Sequence, residues 1–188
     1  MRIIAGKHKG RTLTAPEGVA VRPTSDRARE ALFDILAHGR FGEAPVFLDA
    51  IVLDAFAGTG ALGLEALSRG AAHATFIEND RAALAALRAN IAALREEKNA
   101  AILPAEALHP PRAGRAATLA FLDPPYGEDL AAPVLAALAA AGWFAPEALV
   151  VVEMAARQDL VVPAGLTLLE ERRYGAARLV FLRFNSLI

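Results

Sequence analysis

The residues Asp123-Pro124-Pro125-Tyr126 place a carboxylate, two prolines and an aromatic ring in four consecutive positions. Each proline holds φ near about −65° and has no N–H. The stretch therefore offers acceptors, the Asp123 carboxylate and the Pro124 carbonyl, without competing donors. Tyr126 adds a planar face on which a flipped base can stack. This set suits an aromatic exocyclic amine. The lone pair of such an amine is delocalised into its ring, so the nitrogen is a poor nucleophile. Two acceptors on its N–H bonds would pull it toward tetrahedral geometry and aim the lone pair at an electrophilic methyl. Asp123 need not take the proton first; it can accept it late, or the product can release it to water. Hydrogen bonds to a charged acceptor contribute roughly 1.5–3 kcal/mol each. Loss of Asp123 is therefore expected to slow transfer by about 10²-fold or more. The plainer reading is a rigid turn that ends a strand.

A second constellation runs from Val52 to Gly63: Val-Leu-Asp-Ala-Phe-Ala-Gly-Thr-Gly-Ala-Leu-Gly. It reads as a buried strand, a glycine turn and a helix start. Gly58 and Gly60 permit positive φ and close approach of a ligand to the backbone. The Gly58-x-Gly60-x-x-Gly63 spacing fits a dinucleotide fingerprint, which alone is weak; a tight turn without a ligand has the same form. Asp54 argues for a cation-bearing ligand over a pyrophosphate, because like charges repel. S-adenosylmethionine (SAM) carries an ammonium and a sulfonium and no phosphate.

The elements that must position these groups alternate from Ile51 onward. Ala74–Ile77 is a second strand ended by Glu78, about where a ribose-binding acid belongs after a glycine turn. Asp80 can cap a helix with the stripe Leu84, Leu87, Ile91 and Leu94. Ala101–Leu103 is a third strand, followed by Glu106. Thr118–Leu122 is a fourth, continuously apolar as expected of a strand buried on both faces. Ala131–Ala141 is helical and Ala148–Val152 is a fifth strand. Leu166–Glu171 and Arg178–Phe184 form a closing pair around Tyr174-Gly175. The pattern predicts an α/β, Rossmann-like sheet, mainly parallel, with an antiparallel strand near the C-terminus.

Upstream, Arg2–Gly6 and Arg11–Thr14 read as two short strands joined by Lys7-His8-Lys9-Gly10, a β-hairpin that must lean on the body. His8 is a loop residue in this reading. Residues 1–23 form a basic hairpin extension with a linker from Pro16 to Pro23, and 24–188 form the main domain. Thr24 or Ser25 caps a helix running to about Ala37, with Ala28, Leu32, Ile35 and Leu36 as its apolar stripe. Arg27 and Arg29 fall off that stripe. Arginines at a helix start are unfavourable beside the helix dipole unless an anion comes near.

The totals narrow the class. The 188 residues suit one domain able to bury about 70% of its unfolded surface. No cysteine is present, which excludes disulfides and thiolate metal sites. The most apolar run, from Leu130 to Pro146, is interrupted by Pro133 and Gly142 and is shorter than the about 20 residues of a membrane span. A cytoplasmic protein without a membrane partner is expected. Net charge is −1, yet residues 1–29 carry Arg2, Lys7, Lys9, Arg11, Arg22, Arg27 and Arg29 against Glu17 and Asp26. That asymmetry suggests a basic face for nucleic acid, although a solvated surface explains it equally.

The glycine turn together with Asp-Pro-Pro-Tyr resembles class I SAM-dependent methyltransferases that act on base amino groups. Arg2-Ile3-Ile4-Ala5-Gly6, Gly10-Arg11 and Arg22-Pro23-Thr24 with Arg27, Arg29-Glu30 and Leu32-Phe33 narrow the likeness. They resemble the RsmD family over nearly the whole chain. The resemblance implies methylation of N2 of a guanine, position 966, in bacterial 16S ribosomal RNA, with SAM as donor and no metal. It implies Asp54, Phe56, Gly58 and Gly60 around the methionine part, and Glu78 and Asn79 at the ribose. Glu106 and Ala107 would sit near the adenine, where relatives more often carry a shorter Asp or Asn than Glu106. Asp123, Pro124, Pro125 and Tyr126 would form the catalytic loop. Lys7, Lys9, Arg11, Arg22, Arg27 and Arg29 would serve RNA, with the last three also able to reach the SAM carboxylate. The implied substrate is an assembling small-subunit particle, and the enzyme is expected to be a monomer.

Other readings use the same residues. A DNA or small-substrate amino-methyltransferase shares the catalytic loop, but no long target-recognition insertion is visible. A nicotinamide-dependent oxidoreductase would leave Asp54 and Asp-Pro-Pro-Tyr without a role. A non-catalytic RNA-binding assembly factor would not need the intact Asp123–Tyr126 stretch.

Overall fold

The structure is a computed structural model that describes residues 1–16, 26–38, 41–42, 44–125 and 129–185, with the side chains of 26–28 left aside. Arg22, Thr24, Ser25, Tyr126 and the side chains of Arg27 and Ala28 lie outside the described residues.

The described strands are β1 (Ile51–Ala55), β2 (His73–Glu78), β3 (Ala100–Pro104), β4 (Ala117–Leu122), β5 (Phe144–Ala155), β6 (Leu166–Tyr174) and β7 (Ala177–Phe184). They form a single sheet in the order β3-β2-β1-β4-β5-β7-β6. The first five are parallel; β7 runs antiparallel between β5 and β6. The helices are α1 (Asp26–His38), α2 (Ala61–Ser68), α3 (Arg81–Leu94) and α4 (Ala131–Ala140).

Strand side chains alternate between the two faces. Val52, Phe76, Leu119, Phe121 and Val151 pack with Leu32, Phe33 and Leu36 of α1, Leu64 and Leu67 of α2, and Leu87, Ile91 and Leu94 of α3. Leu53, Ile77, Ala120, Leu122 and Val150 pack with Val134, Leu135 and Leu138 of α4 and with Trp143. Burial of one such leucine or valine stabilises by about 1.5–3 kcal/mol. This explains the apolar runs Ile51–Leu53 in β1 and Leu119–Leu122 in β4.

Two elements differ from the pattern read in sequence. β5 begins at Phe144, four residues before the expected Ala148. Pro146 and the left-handed Glu147 (φ 62°) interrupt its period, and the pairing with β4 shifts between Ala117 and Leu119. A proline is tolerated in a strand at such an irregularity. The expected N-terminal hairpin is reduced to one antiparallel bridge, Arg2 with Thr12, and Gly6–His8 forms a 3₁₀ turn. The chain still doubles back: Ile3 N–H donates to Arg11 O (2.9 Å) and Leu13 N–H to Met1 O (3.0 Å).

The body explains why two regular strands are not needed. Glu65 of α2, fully buried, accepts from the N–H groups of Ile4 (2.8 Å) and Ala5 (3.0 Å). Ser68 accepts from His8 N–H and donates to Ala5 O. Gly6 lies so close that an added Cβ would stand 1.8 Å from Ser68 O. Backbone groups that would have paired within a hairpin are satisfied by α2 instead.

Candidate active site and cofactor cleft

In an open parallel sheet, ligands bind beyond the carboxyl ends of the strands, where the strand order reverses. Here the reversal falls between β1 and β4. Ala55 and Leu122 are in register at that edge. The glycine turn leaves one side of the crevice, and Asp123-Pro124-Pro125 leaves the other.

The turn takes the conformation its glycines allow. Gly58 (φ 55°) and Gly60 (φ 80°) are left-handed. An added Cβ at Gly58 would meet nothing within 4 Å, so its outer side is open to a ligand. At Gly60 and Gly63 the Cβ would collide with Leu87 and Phe76, each at 2.4 Å. These two glycines serve close packing, Gly60 against α3 and Gly63 against the sheet. Phe56 is also left-handed (φ 62°), a conformation that costs a bulky residue energy and often marks a working site.

Asp54 is almost fully buried, and its Oδ2 accepts from Gly63 N–H at 2.8 Å. It thereby satisfies a first-turn amide of α2, whose N-cap Gly60 has no side chain. Burial pushes the Asp54 carboxyl up to about 8. The Gly63 bond opposes that rise, and the charges of Asp123 and Glu78 add to it.

Glu78 closes the other side of the turn. Its Oε2 accepts from Gly58 N–H (2.7 Å), and its Oε1 from Asn79 and Asp80 N–H (both 2.8 Å). Beside it opens a cleft of about 240 Å³ lined by Phe56, Ile77, Glu78, Asn79, Ala105 and Glu106, and by Ala107, Leu108 and Leu130. Five of the expected cofactor residues, Phe56, Glu78, Asn79, Glu106 and Ala107, thus share one cavity. Glu106 borders it, but its carboxylate also meets His109 Nδ1 at 3.2 Å.

Asp123 is half-buried, Pro124 is buried and Pro125 is exposed. Asp123 N–H lies 3.5 Å from Ala55 O, so the Asp123–Pro125 stretch leaves β4 against the end of β1.

The basic residues separate. Lys9 and Arg11 are exposed, and Arg11 donates to Ala93 O at 2.8 Å. Lys7 meets Glu96 at 2.7 Å, and His8 Nε2 meets the same oxygen at 2.6 Å. Burial alone would raise the Glu96 carboxyl, but hydrogen bonds from Asn99, Lys7 and His8 hold it below its ordinary value. Arg29 corrects the sequence reading: it is 1% exposed, donates to Arg2 O at 2.5 Å and lies 4.0 Å from Glu65. A buried guanidinium needs such partners, so Arg29 is held inside the fold and not on the exposed basic face expected of it.

Two residues at the site were not singled out in the sequence. Glu65 lies among apolar neighbours in a helix buried on most sides. Asn90 falls three residues after Leu87 on the buried stripe of α3 and bonds the carbonyl of Thr59. A polar residue on an apolar stripe was the available signal for both.

The family model described as conserved hypothetical protein 95 matches residues 1–183. A curated relative from Escherichia coli K12, ribosomal RNA small subunit methyltransferase D, is 43% identical over 177 residues, covering 93% of this chain and 85% of its own. This chain belongs to the RsmD family. A Haemophilus influenzae protein of the same name is 35% identical, covering 93% of this chain and 89% of its own. The solved structure of YhhF from Escherichia coli superposes with a TM-score of 0.85 at 41% identity, covering 99% and 98% of the two chains. The RsmD assignment thus spans the N-terminal segment, the glycine turn and the Asp-Pro-Pro stretch together. Among the described residues, no helix is long and apolar enough to cross a membrane, and no group of three or more His, Cys, Asp or Glu side chains is placed to hold a metal ion.

Proposed function

We propose that this protein transfers a methyl group from SAM to the exocyclic N2 of a guanine in small-subunit ribosomal RNA, the position numbered 966 in the family resemblance. We place it in the cytoplasm, acting as a single chain on an assembling ribosomal particle. The observation that carries this reading is a placement. Asp123-Pro124 follows β4 and the glycine turn follows β1, and these two strands end in register at the β1/β4 reversal of an RsmD-family chain.

The residues present fit SAM. Phe56, Ile77, Leu108 and Leu130 give the cleft apolar walls for an adenine, and Glu78 offers carboxylate oxygens to a ribose diol. The open side of Gly58 leaves room for a ligand on the backbone. Asp123 supplies negative charge where a cation would lie, and an arriving cation favours the ionised form of Asp54 beside it.

SAM bound there supplies a methyl group on a sulfonium. The chain's part is orientation and proton handling. Asp123 and the Pro124 carbonyl accept the two N–H bonds of the base amine and turn its lone pair toward the methyl. As the new N–C bond forms and the S–C bond breaks, the nitrogen becomes positive, and one proton leaves to Asp123 or to water. Buried Pro124 keeps competing water from its side of the amine.

The test is incubation with methyl-labelled SAM and small-subunit particles from cells lacking the enzyme, beside naked 16S RNA and DNA. N2-methylguanosine formed in the particles is the expected product. Label in DNA, or as a methylated adenine or cytosine, would overturn the substrate assignment, and no SAM binding would overturn the reading of the turn.

A further inference from the structure

We infer that Asn90 is a positioning residue for the glycine turn, holding Thr59 from behind and tying the turn to the N-terminal segment at Thr14. The inference rests on reading that turn as a SAM site.

Asn90 is 1% exposed, within the stripe that packs α3 on the sheet. An amide in that setting must find partners. It has two N–H donors and one oxygen acceptor, and all are used. Its Oδ1 accepts from Thr14 N–H at 2.7 Å. Its Nδ2 donates to Thr14 O and to Thr59 O, both at 3.0 Å. One side chain thus pairs both backbone groups of Thr14, as a neighbouring strand would, and keeps one donor for the turn.

Thr59 stands between the two left-handed glycines. Gly60 offers no side-chain cap, so the turn depends on groups around it. On one flank Gly58 N–H is fixed by Glu78. On the other, Thr59 C=O is fixed by Asn90. The Thr59 hydroxyl also lies 3.8 Å from Met1 Sδ. Both limbs of the N-terminal segment therefore converge on the middle residue of the turn. The same peptide is held at its other end by Gly60 N–H to Ala57 O (2.7 Å), so releasing the carbonyl removes one of its two anchors and loosens the turn, and the cost falls on the ligand that needs the turn preformed.

A purely structural Asn90 would lower stability when changed and leave SAM affinity alone. The two roles separate with Asn90→Asp, Asn90→Ala and Ile91→Ala. The Asp variant keeps an acceptor for Thr14 N–H, loses both donors and sets a carboxylate against two carbonyl oxygens. The Ala variant loses every bond. Ile91→Ala loosens the same helix packing without touching Thr59. SAM titration calorimetry on each folded variant, with kcat and KM on ribosomal particles, reads the outcome. We expect SAM Kd and KM to rise about tenfold in both Asn90 variants, the loss of roughly one hydrogen bond. We expect kcat at saturating SAM to stay within about twofold and Ile91→Ala to keep near-parental SAM affinity. SAM affinity unchanged in Asn90→Ala, or weakened equally by Ile91→Ala, overturns the inference. If the parent protein itself binds no SAM, the failure belongs to the functional reading.

Discussion

The Glu78 carboxylate accepts the Gly58 N–H at 2.7 Å, so the residue that ends β2 also shapes the turn that leaves β1. Its other oxygen holds the Asn79 and Asp80 amides. Three donors fix the carboxylate's direction before any ligand arrives. Glu78→Ala should therefore weaken SAM binding about tenfold or more, through a lost ribose contact and a looser turn. Affinity for ribosomal particles should hold. Calorimetry with SAM and a particle-binding assay check the two halves, and unchanged SAM affinity would leave Glu78 as a strand end only.

Asp123→Asn keeps the shape of the side chain and removes its charge. Methyl transfer should fall about 10²-fold while SAM still binds. Single-turnover assays at saturating SAM measure the first, and calorimetry the second. Parallel loss of both would remove Asp123 from the chemistry.

Asp54 should make SAM binding depend on pH. Its carboxyl is raised to about 8 in the folded, ligand-free protein, chiefly by burial. A cation beside it favours the ionised form, so binding expels a proton and affinity rises with pH up to about 8, then levels. Stability of the ligand-free protein runs the other way. Between the ordinary value of 3.8 and about 8 the folded state holds a proton that the unfolded state has lost. Stability therefore falls as pH climbs through that window. Asp54→Asn should flatten both profiles. Proton uptake or release, read by calorimetry in buffers of different ionisation heat, decides; no release near pH 7 would contradict the assignment.

The basic N-terminal residues should divide into two behaviours. Lys9→Glu and Arg11→Glu should weaken RNA binding and lower its salt slope by about 0.7–0.9 per lost phosphate contact. Lys7→Glu should instead lower the melting temperature, because it sets a second carboxylate against buried Glu96. Salt titrations of binding and thermal melts separate these outcomes. An unaltered slope in the first pair would take this segment out of the RNA interface.

The β1–turn–α2 unit and Glu78 were legible from sequence because period, glycine spacing and strand ends all agree there. Where they were not, a long-range partner had overridden a local signal. Pro146 looks like a strand boundary, but the Glu147 irregularity carries β5 through it. Arg29 reads as a surface charge because Glu65, its partner, lies on another helix. The two N-terminal limbs look like ladder strands because nothing nearby announces that α2 will take up their backbone groups. Asn90 interrupts an apolar stripe, yet its reason is a carbonyl 31 residues away.

The spacing of these contacts along the chain also sets an order of assembly. Asp54 and Gly63, nine residues apart, close the cofactor turn over a short loop. Asn90 and Thr14 are 76 residues apart. Closing the longer loop costs about 2 kcal/mol more in chain entropy. During synthesis, Ile4 and Thr14 must wait until Glu65 and Asn90 have emerged before they find their places. The segment that steadies the turn is thus made before it and seated after it.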